Sequence, residues 1–490
     1  MNRAGLYVRR IRSKSPISQR FTISASAEAT QNEVIDKLKN HVANASARTR
    51  NKTLCMNGVA IFSSKEFTSW VEDDHFMSAF LETLFKPRST GLISRPNLHV
   101  LSGITDGLDP LHQSSEPRSG FAVLCGPVKN ILPGLWRNES FAGTGPDAAA
   151  CVSFVTNPLN GNTGALEVTL PLANTVFQNG RRSSLYASRW GVSNEGSVTL
   201  RRKYAKIKQQ IEAKGDFVDH TQSMIPLLPI TPPRRILAGL GNIVRQVEID
   251  GSATPASKEL EAIIPKIFEE RSQDGRISPG PISVWCWVIP PHVMEAIEFD
   301  DLDLFKAGSS QFETHTIMNS NAVFSKFLSS GCRLHKILSG GGGWGLKQGL
   351  LSLDPETKFS LPGQDDDMEM FIRSFKERNS AEPTSGLATP GSFLLFCIEP
   401  QVSIIAAQRF TEKALQFGVA PNVDYTPSPG SLLRPVEVID GSFRVSSTTG
   451  LYLRAIPART GVGSDSENED TSQDSFTTKI DVPESYICFQ

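Results

Sequence analysis

Four consecutive glycines, Gly340, Gly341, Gly342 and Gly343, precede Trp344, Gly345 and Lys347 in the stretch "LSGGGGWGLKQG". Glycine leaves backbone amides bare enough to cradle an anion, and Gly340, Gly342 and Gly345 fit the spacing of a dinucleotide loop. Asp365, Asp366 and Asp367 follow about twenty residues on, where a ribose-binding acid would stand. The chemistry needs more than that spacing. Pyrophosphate must meet the amide dipoles of a helix beginning at the loop, and "LKQGLLSLDP", with Gly349 and Asp354-Pro355, is a poor helix. A P-loop requires Gly-Lys-Ser/Thr, and Leu346-Lys347-Gln348 stands there instead. Three readings of residues 340–347 stay open: a structural turn, a backbone contact with a small metabolite or partner, and a nucleotide site.

The second constellation is "GRRSSLYASRWGVSNEGSVTLRRKYAKIK", residues 180–208. Arg181, Arg182, Arg189, Arg201, Arg202, Lys203, Lys206 and Lys208 face a single acid, Glu195, with Tyr186, Trp190 and Tyr204 between them. Bases neutralise phosphate and release counterions, and aromatic rings stack on unpaired nucleobases, so the composition suits RNA. The nucleic-acid candidates are Arg181, Arg182, Arg189, Trp190, Arg201, Arg202, Lys203 and Lys206. A solvated face with core aromatics explains the same composition, and that reading stands beside the first.

Other groups carry less. Asp365, Asp366, Asp367 and Glu369 precede "MFIRSFKER", where carboxylates at a helix N-terminus are favoured by the dipole. Cys332 and His335, with Glu313 and His315 upstream, lack a second pair at zinc spacing. No Gly-x-Ser-x-Gly elbow occurs. No catalytic residue, metal or cofactor is assigned on these grounds.

The elements that must position these residues alternate between strand and helix. "CMNGVAIFSS", "LHVLSGITDG" (98–107), "GFAVLCGPV" (120–128) and "ALEVTLPLANTVF" (165–177) read as strands, and Ser63-Ser64-Lys65-Glu66 caps a helix carrying Phe67, Val71, Phe76, Phe80 and Leu84. Beyond the Pro-rich run "MIPLLPITPP" (224–233), Thr254-Pro255 opens a helix, "ISVWCWVI" (282–289) is a core strand, and helix, strand and two further apolar strands follow. The fold class expected is α/β or α+β, two mixed-sheet lobes with flanking helices, over residues 30–225 and 234–460. An acidic linker (461–476) and an apolar tail (477–490) that docks back as an edge strand complete the chain.

With 490 residues and a 39% apolar share the chain can bury a sizeable core, and no window is long and apolar enough for a membrane span. The seven cysteines include no Cys-x-x-Cys pair and several sit in apolar runs, which points to reduced, buried thiols. Residues 1–29 carry Arg3, Arg9, Arg10, Arg12, Lys14 and Arg20, and no acid before Glu28. Arg-rich, Ser-rich and acid-poor is the composition of a mitochondrial presequence, which places the protein in the matrix; a basic tail is the alternative. Thr30 to Glu33 then reads as a capping box at the start of the mature fold.

At "VTLPLANTVFQNGRRSSLYASRW" and "LSGGGGWGLKQGLLSLDP" the chain resembles a family of uncharacterised fungal mitochondrial proteins and, more loosely, the FIST family (F-box and intracellular signal transduction). The succession "VAIFSS", "HVLSGITDGL", "GFAVLCG" is similar to the strand, glycine turn and strand of the FIST N-terminal half. The resemblance covers roughly residues 54–454 and implies a two-lobed sensory fold with a small-molecule pocket and no catalysis. Three expectations result: a non-catalytic mitochondrial protein bound to RNA or a ribonucleoprotein in organellar gene expression, a FIST-type sensor of a small ligand, and a nucleotide-using enzyme.

Overall fold

The computed structural model describes residues 18–48, 56–85, 97–108, 119–137, 145–157, 164–193, 195–213, 221–273, 281–297, 299, 302–306, 312–340, 349–361, 387–401, 414–421, 435–456 and 476–490. The fold begins earlier than the capping box. Strand Gln19–Ser24 lies inside a seven-stranded sheet, antiparallel to Glu437–Asp440 on one side and Gly120–Gly126 on the other. Phe21 and Ile23 are buried at alternate positions, Thr22 Oγ1 donates to Ser442 O (3.0 Å) and Arg20 Nε donates to Gly441 O (2.8 Å). The expected leader of 29 residues is therefore corrected. Cutting there would strip an interior strand, so a removable address must end before Gln19; residues 1–17 lie outside the described residues.

The capping box sits where the sequence puts it. Thr30 N donates to the Glu33 carboxylate (2.8 Å) and Glu33 N to Thr30 Oγ1 (3.3 Å), so two orphan donors are met at the start of helix Gln31–Arg48. The helix expected after Ser63 breaks in two: Thr68–Glu72 ends at Asp73, whose carboxylate accepts from His75 N (2.9 Å) and caps Asp74–Leu84. These helices cover one face of the sheet with Val34, Leu38, Phe67, Phe76 and Phe80 around Phe121. Strands Gly58–Ser64 and Leu98–Thr105 run parallel at the sheet's centre, and the hairpin of Leu185–Val192 and Val198–Ala205 forms its far edge.

The opposite face meets three further sheets across one shared core, in which Phe62, Phe154, Phe417 and Phe443 touch ring to ring, Phe154 and Phe417 at 4.6 Å. A five-stranded sheet joins Cys151–Thr156, Ala165–Pro171 and Lys208–Glu212 to Leu451–Ile456 and Thr477–Ile480. A four-stranded sheet joins Thr221–Met224 to Leu415–Val419, Phe443–Ser447 and Tyr486–Phe489. The largest sheet centres on Val284–Ile289 and Phe393–Ile398, with helices Lys258–Gln273 and Glu313–Ser329 beside it. The class is mixed α/β, as the alternation of elements implied. A division of the sheets at the Pro-rich run is corrected: strands from both sides of residues 225–234 share three of the four sheets, because the end of the chain returns to the beginning. Thr477–Ile480 docks as an edge strand, whereas Tyr486–Phe489 is interior. Thr254 and Pro255 close a short strand, Ser252–Pro255, and the helix starts at Lys258 with Pro265 inside it.

The six cysteines among the described residues are buried and unbridged, and burial pushes the thiols of Cys125, Cys151 and Cys332 up to about 12, which keeps them protonated and unreactive. Among the described residues no helix is long and apolar enough to cross a membrane.

Candidate nucleic-acid interface

The basic segment folds as the edge hairpin of the seven-stranded sheet, and strand alternation sends its side chains to two different surfaces. On the helix-covered side stand Tyr186, Trp190 and Lys203. Trp190 is 2% exposed, and its Nε1 donates to Ser188 Oγ (2.9 Å), so it is a core residue and is removed from the candidates. The Tyr186 hydroxyl donates to Glu72 Oε1 (2.7 Å), and burial together with that carboxylate pushes the phenol up to about 12. Lys203 Nζ stands 3.5 Å from Asp74 Oδ1 and 5.1 Å from the Tyr186 ring. Its charge is balanced locally.

The other side differs. His99, Arg189 and Arg202 are register neighbours on three adjacent strands, so their side chains form one row across the sheet. The Arg189 guanidinium lies over the Trp136 ring at 4.8 Å, and that of Arg202 over Tyr204 at 4.5 Å. Trp136 and Tyr204 meet edge to face at 6.2 Å. Among the described residues neither guanidinium has a carboxylate within ion-pair distance, and Arg189 Nε is buried with no hydrogen-bond partner. Tyr204 is 38% exposed and Arg202 is exposed. The row is thus a cation-over-aromatic ladder whose charges no described residue neutralises.

Trp136 comes from outside the basic segment, on the turn after helix Val128–Ile131, where Gly134 adopts φ +68°. Three bonds fix that turn, two of them to the hairpin and its sheet and one to strand Lys208–Glu212 of the five-stranded sheet. Lys206 Nζ donates to Leu135 O (3.0 Å), Gln209 Nε2 to Pro133 O (2.9 Å), and Trp136 Nε1 to His99 Nδ1 (2.8 Å). Because the indole can only donate, His99 must be neutral with Nδ1 bare. Burial, and then the charge of Arg189, hold its pKa below the ordinary histidine value, which preserves that state. Lys206, a nucleic-acid candidate in sequence, acts here as a brace for the turn.

Arg201 is the extra residue of a β-bulge between the pairs Arg189–Arg202 and Trp190–Leu200, and its side chain crosses Gly191, where any Cβ would meet it. Arg181 and Arg182 lie at the entrance to the hairpin, Arg182 exposed and Arg181 6.0 Å from the Tyr186 ring. A concavity of about 10 Å³ beside Arg181, Ser183 and Lys206 has room for one water at most and none for a metabolite.

Of the glycine loop, Gly341, Gly342, Gly343, Trp344, Gly345 and Lys347 lie outside the described residues. Gly340 ends strand Arg333–Gly340 and pairs with Leu351, where any side chain at 340 would collide with that of Leu351. The loop therefore links two antiparallel neighbours, and a strand, Leu351–Leu353, follows it in place of a helix N-terminus. The acidic residues 365–369 also lie outside the described residues. Glu313, His315, Cys332 and His335 do not come together: among the described residues no three metal-ligating side chains converge. Compared with family models, curated proteins and solved structures, the chain matches none, so its site is read from its own geometry.

Proposed function

We propose that this protein binds RNA, alone or within a ribonucleoprotein, through the ladder of Arg189, Trp136, Tyr204 and Arg202, and that it serves organellar gene expression in the mitochondrial matrix without catalysing a reaction. The observation that carries the reading is the pair of guanidinium groups held over aromatic rings with no carboxylate beside them among the described residues. Elsewhere on the same hairpin a carboxylate answers the cation, as Asp74 does Lys203. An edge whose cations no described residue neutralises has phosphate as its natural counter-charge, and the guanidinium-and-ring planes can stack on bases. The acid-free, Arg-rich residues before Gln19 support the compartment.

The test uses the purified full chain and an Arg189→Ala/Arg202→Ala variant with RNA at several salt concentrations. Without these two cations, binding is expected to weaken at least about tenfold, and the slope of log affinity against log salt to flatten by about 0.7 for each phosphate left unneutralised. Equal affinity and slope in the two proteins would remove the ladder from the account. Imaging of the full chain beside one lacking residues 2–17, which spares the first strand, tests the address; a cytosolic signal from the full chain would contradict it.

A further inference from the structure

From the arrangement of the ladder we infer that the preferred ligand is single-stranded RNA, held by bases stacked on the Arg189–Trp136 and Arg202–Tyr204 layers, and that duplex RNA is bound only through its phosphates. This rests on the RNA-binding reading above and gives it a substrate class.

Three features of the site point this way. Each guanidinium lies on an aromatic ring, and at the exposed edge the Arg202–Tyr204 pair presents a planar cation against a π-system, a plane that takes splayed bases as readily as a bare ring does. The Trp136 and Tyr204 rings meet edge to face, 68° apart in plane, so their exposed faces point in different directions. Bases in a duplex are held parallel and use both faces on each other, whereas an extended strand can turn single bases onto planes set at an angle. The platform is also narrow, lying on the last two strands of a sheet where Val198–Ala205 is the edge. That matches the track of one strand; a duplex needs a surface able to follow two phosphate rows.

The anchor of the platform is held rigidly. Trp136 is tied by its indole to His99 and its turn is braced by Lys206 and Gln209, so little ordering remains when a base arrives. Exposed Tyr204 at the sheet edge supplies the second plane.

The experiment compares a 12-nucleotide oligouridine and a 12-base-pair RNA duplex on the intact protein, with Trp136→Ala and, because that change touches a braced turn, Tyr204→Ala at the surface. The single strand is expected to bind at least about tenfold more tightly than the duplex. Each substitution should reduce single-strand affinity about fivefold or more and leave duplex affinity within about twofold, in line with stacking on one base. Equal binding of the two probes, or equal losses for both in the variants, would overturn this inference and leave charge-driven RNA binding standing. Binding of neither probe would overturn the RNA reading and this inference together.

Discussion

The two faces of the hairpin formed by Leu185–Val192 and Val198–Ala205 carry similar residues and have different fates. Toward the helices, Lys203 is answered by Asp74, and Tyr186 by Glu72, which also accepts from Asn179 Nδ2 (2.7 Å). Away from them, Arg189 and Arg202 lie on Trp136 and Tyr204 with no described carboxylate in reach. The difference comes from what packs above each face: helices Thr68–Glu72 and Asp74–Leu84 bring acids to one, and the braced turn at Trp136 brings a ring to the other. A basic segment therefore says little by itself; whether its charges are spent inside the fold decides what remains for a ligand.

The contrast can be broken at its largest scale by truncation. Deleting residues 1–29 removes an interior strand with Phe21 and Ile23, each worth about 1.5–3 kcal/mol on burial, together with its two ladders of backbone bonds. Loss of cooperative unfolding is expected for that protein and an unchanged melting temperature for one lacking residues 2–17; a folded, stable 30–490 fragment would contradict the sheet order.

Acidification comes next. His335 Nδ1 faces Asp354 O at 2.8 Å and must donate, leaving Nε2 bare and buried with no partner among the described residues, and burial lowers its pKa to about 4. With the unfolded value near 6.5, the unfolded chain binds the proton first, so stability is full above that pH and drains as pH falls toward 4. About 2 kcal/mol should be lost between pH 7 and pH 5 through this group, and His335→Asn, which keeps a donor for Asp354 O, should lessen the loss. Identical losses in both proteins, read by urea unfolding, would count against it. His99, also held below the ordinary histidine range, adds a local effect in the same direction: its protonation releases Trp136, so RNA affinity should fall on the acid side and stay level from pH 7 to 8.

Smaller changes sharpen the comparison. Glu72→Ala strands the Tyr186 hydroxyl and takes one of the two acceptors of the Asn179 amide, whose bond to Ser184 Oγ remains, and should cost about 2 kcal/mol of stability with RNA affinity unchanged. Arg202→Ala should do the reverse, moving stability by no more than about 0.5 kcal/mol while weakening RNA binding. Denaturation and filter binding on the two variants would expose any mixing of these effects. Arg201→Ala, at the bulge and off the ladder, should change affinity about twofold at most.

Much of the fold was legible where pattern is local. The capping box from Thr30, the parallel strands at 58–64 and 98–105, and the apolar strands at 284–289 and 393–398 are set by periodicity and caps. Strand Gln19–Ser24 was hidden because Arg20 and the serines in and around it read as leader composition, and its pairing partners lie about 100 and 420 residues away. Of the site, Arg189 and Arg202 were legible as charge. Trp136 and His99 were not, since only the register of strands and a turn 53 residues before Arg189 bring them there. The signal in the sequence was modest: a Trp-Arg pair in the Pro-Gly turn "LPGLWR" between two strands. Trp190 misled because a strand aromatic beside arginines looks the same on either face until the sheet is known.

The most direct measurement of the central claim is RNA affinity of the Arg189→Ala/Arg202→Ala protein against Lys203→Ala, at matched stability and salt. The two-face account predicts a loss of at least about tenfold for the double variant and less than about twofold for Lys203→Ala. Equal losses would mean that the helix-side and open faces do not differ in function, and the account would fail.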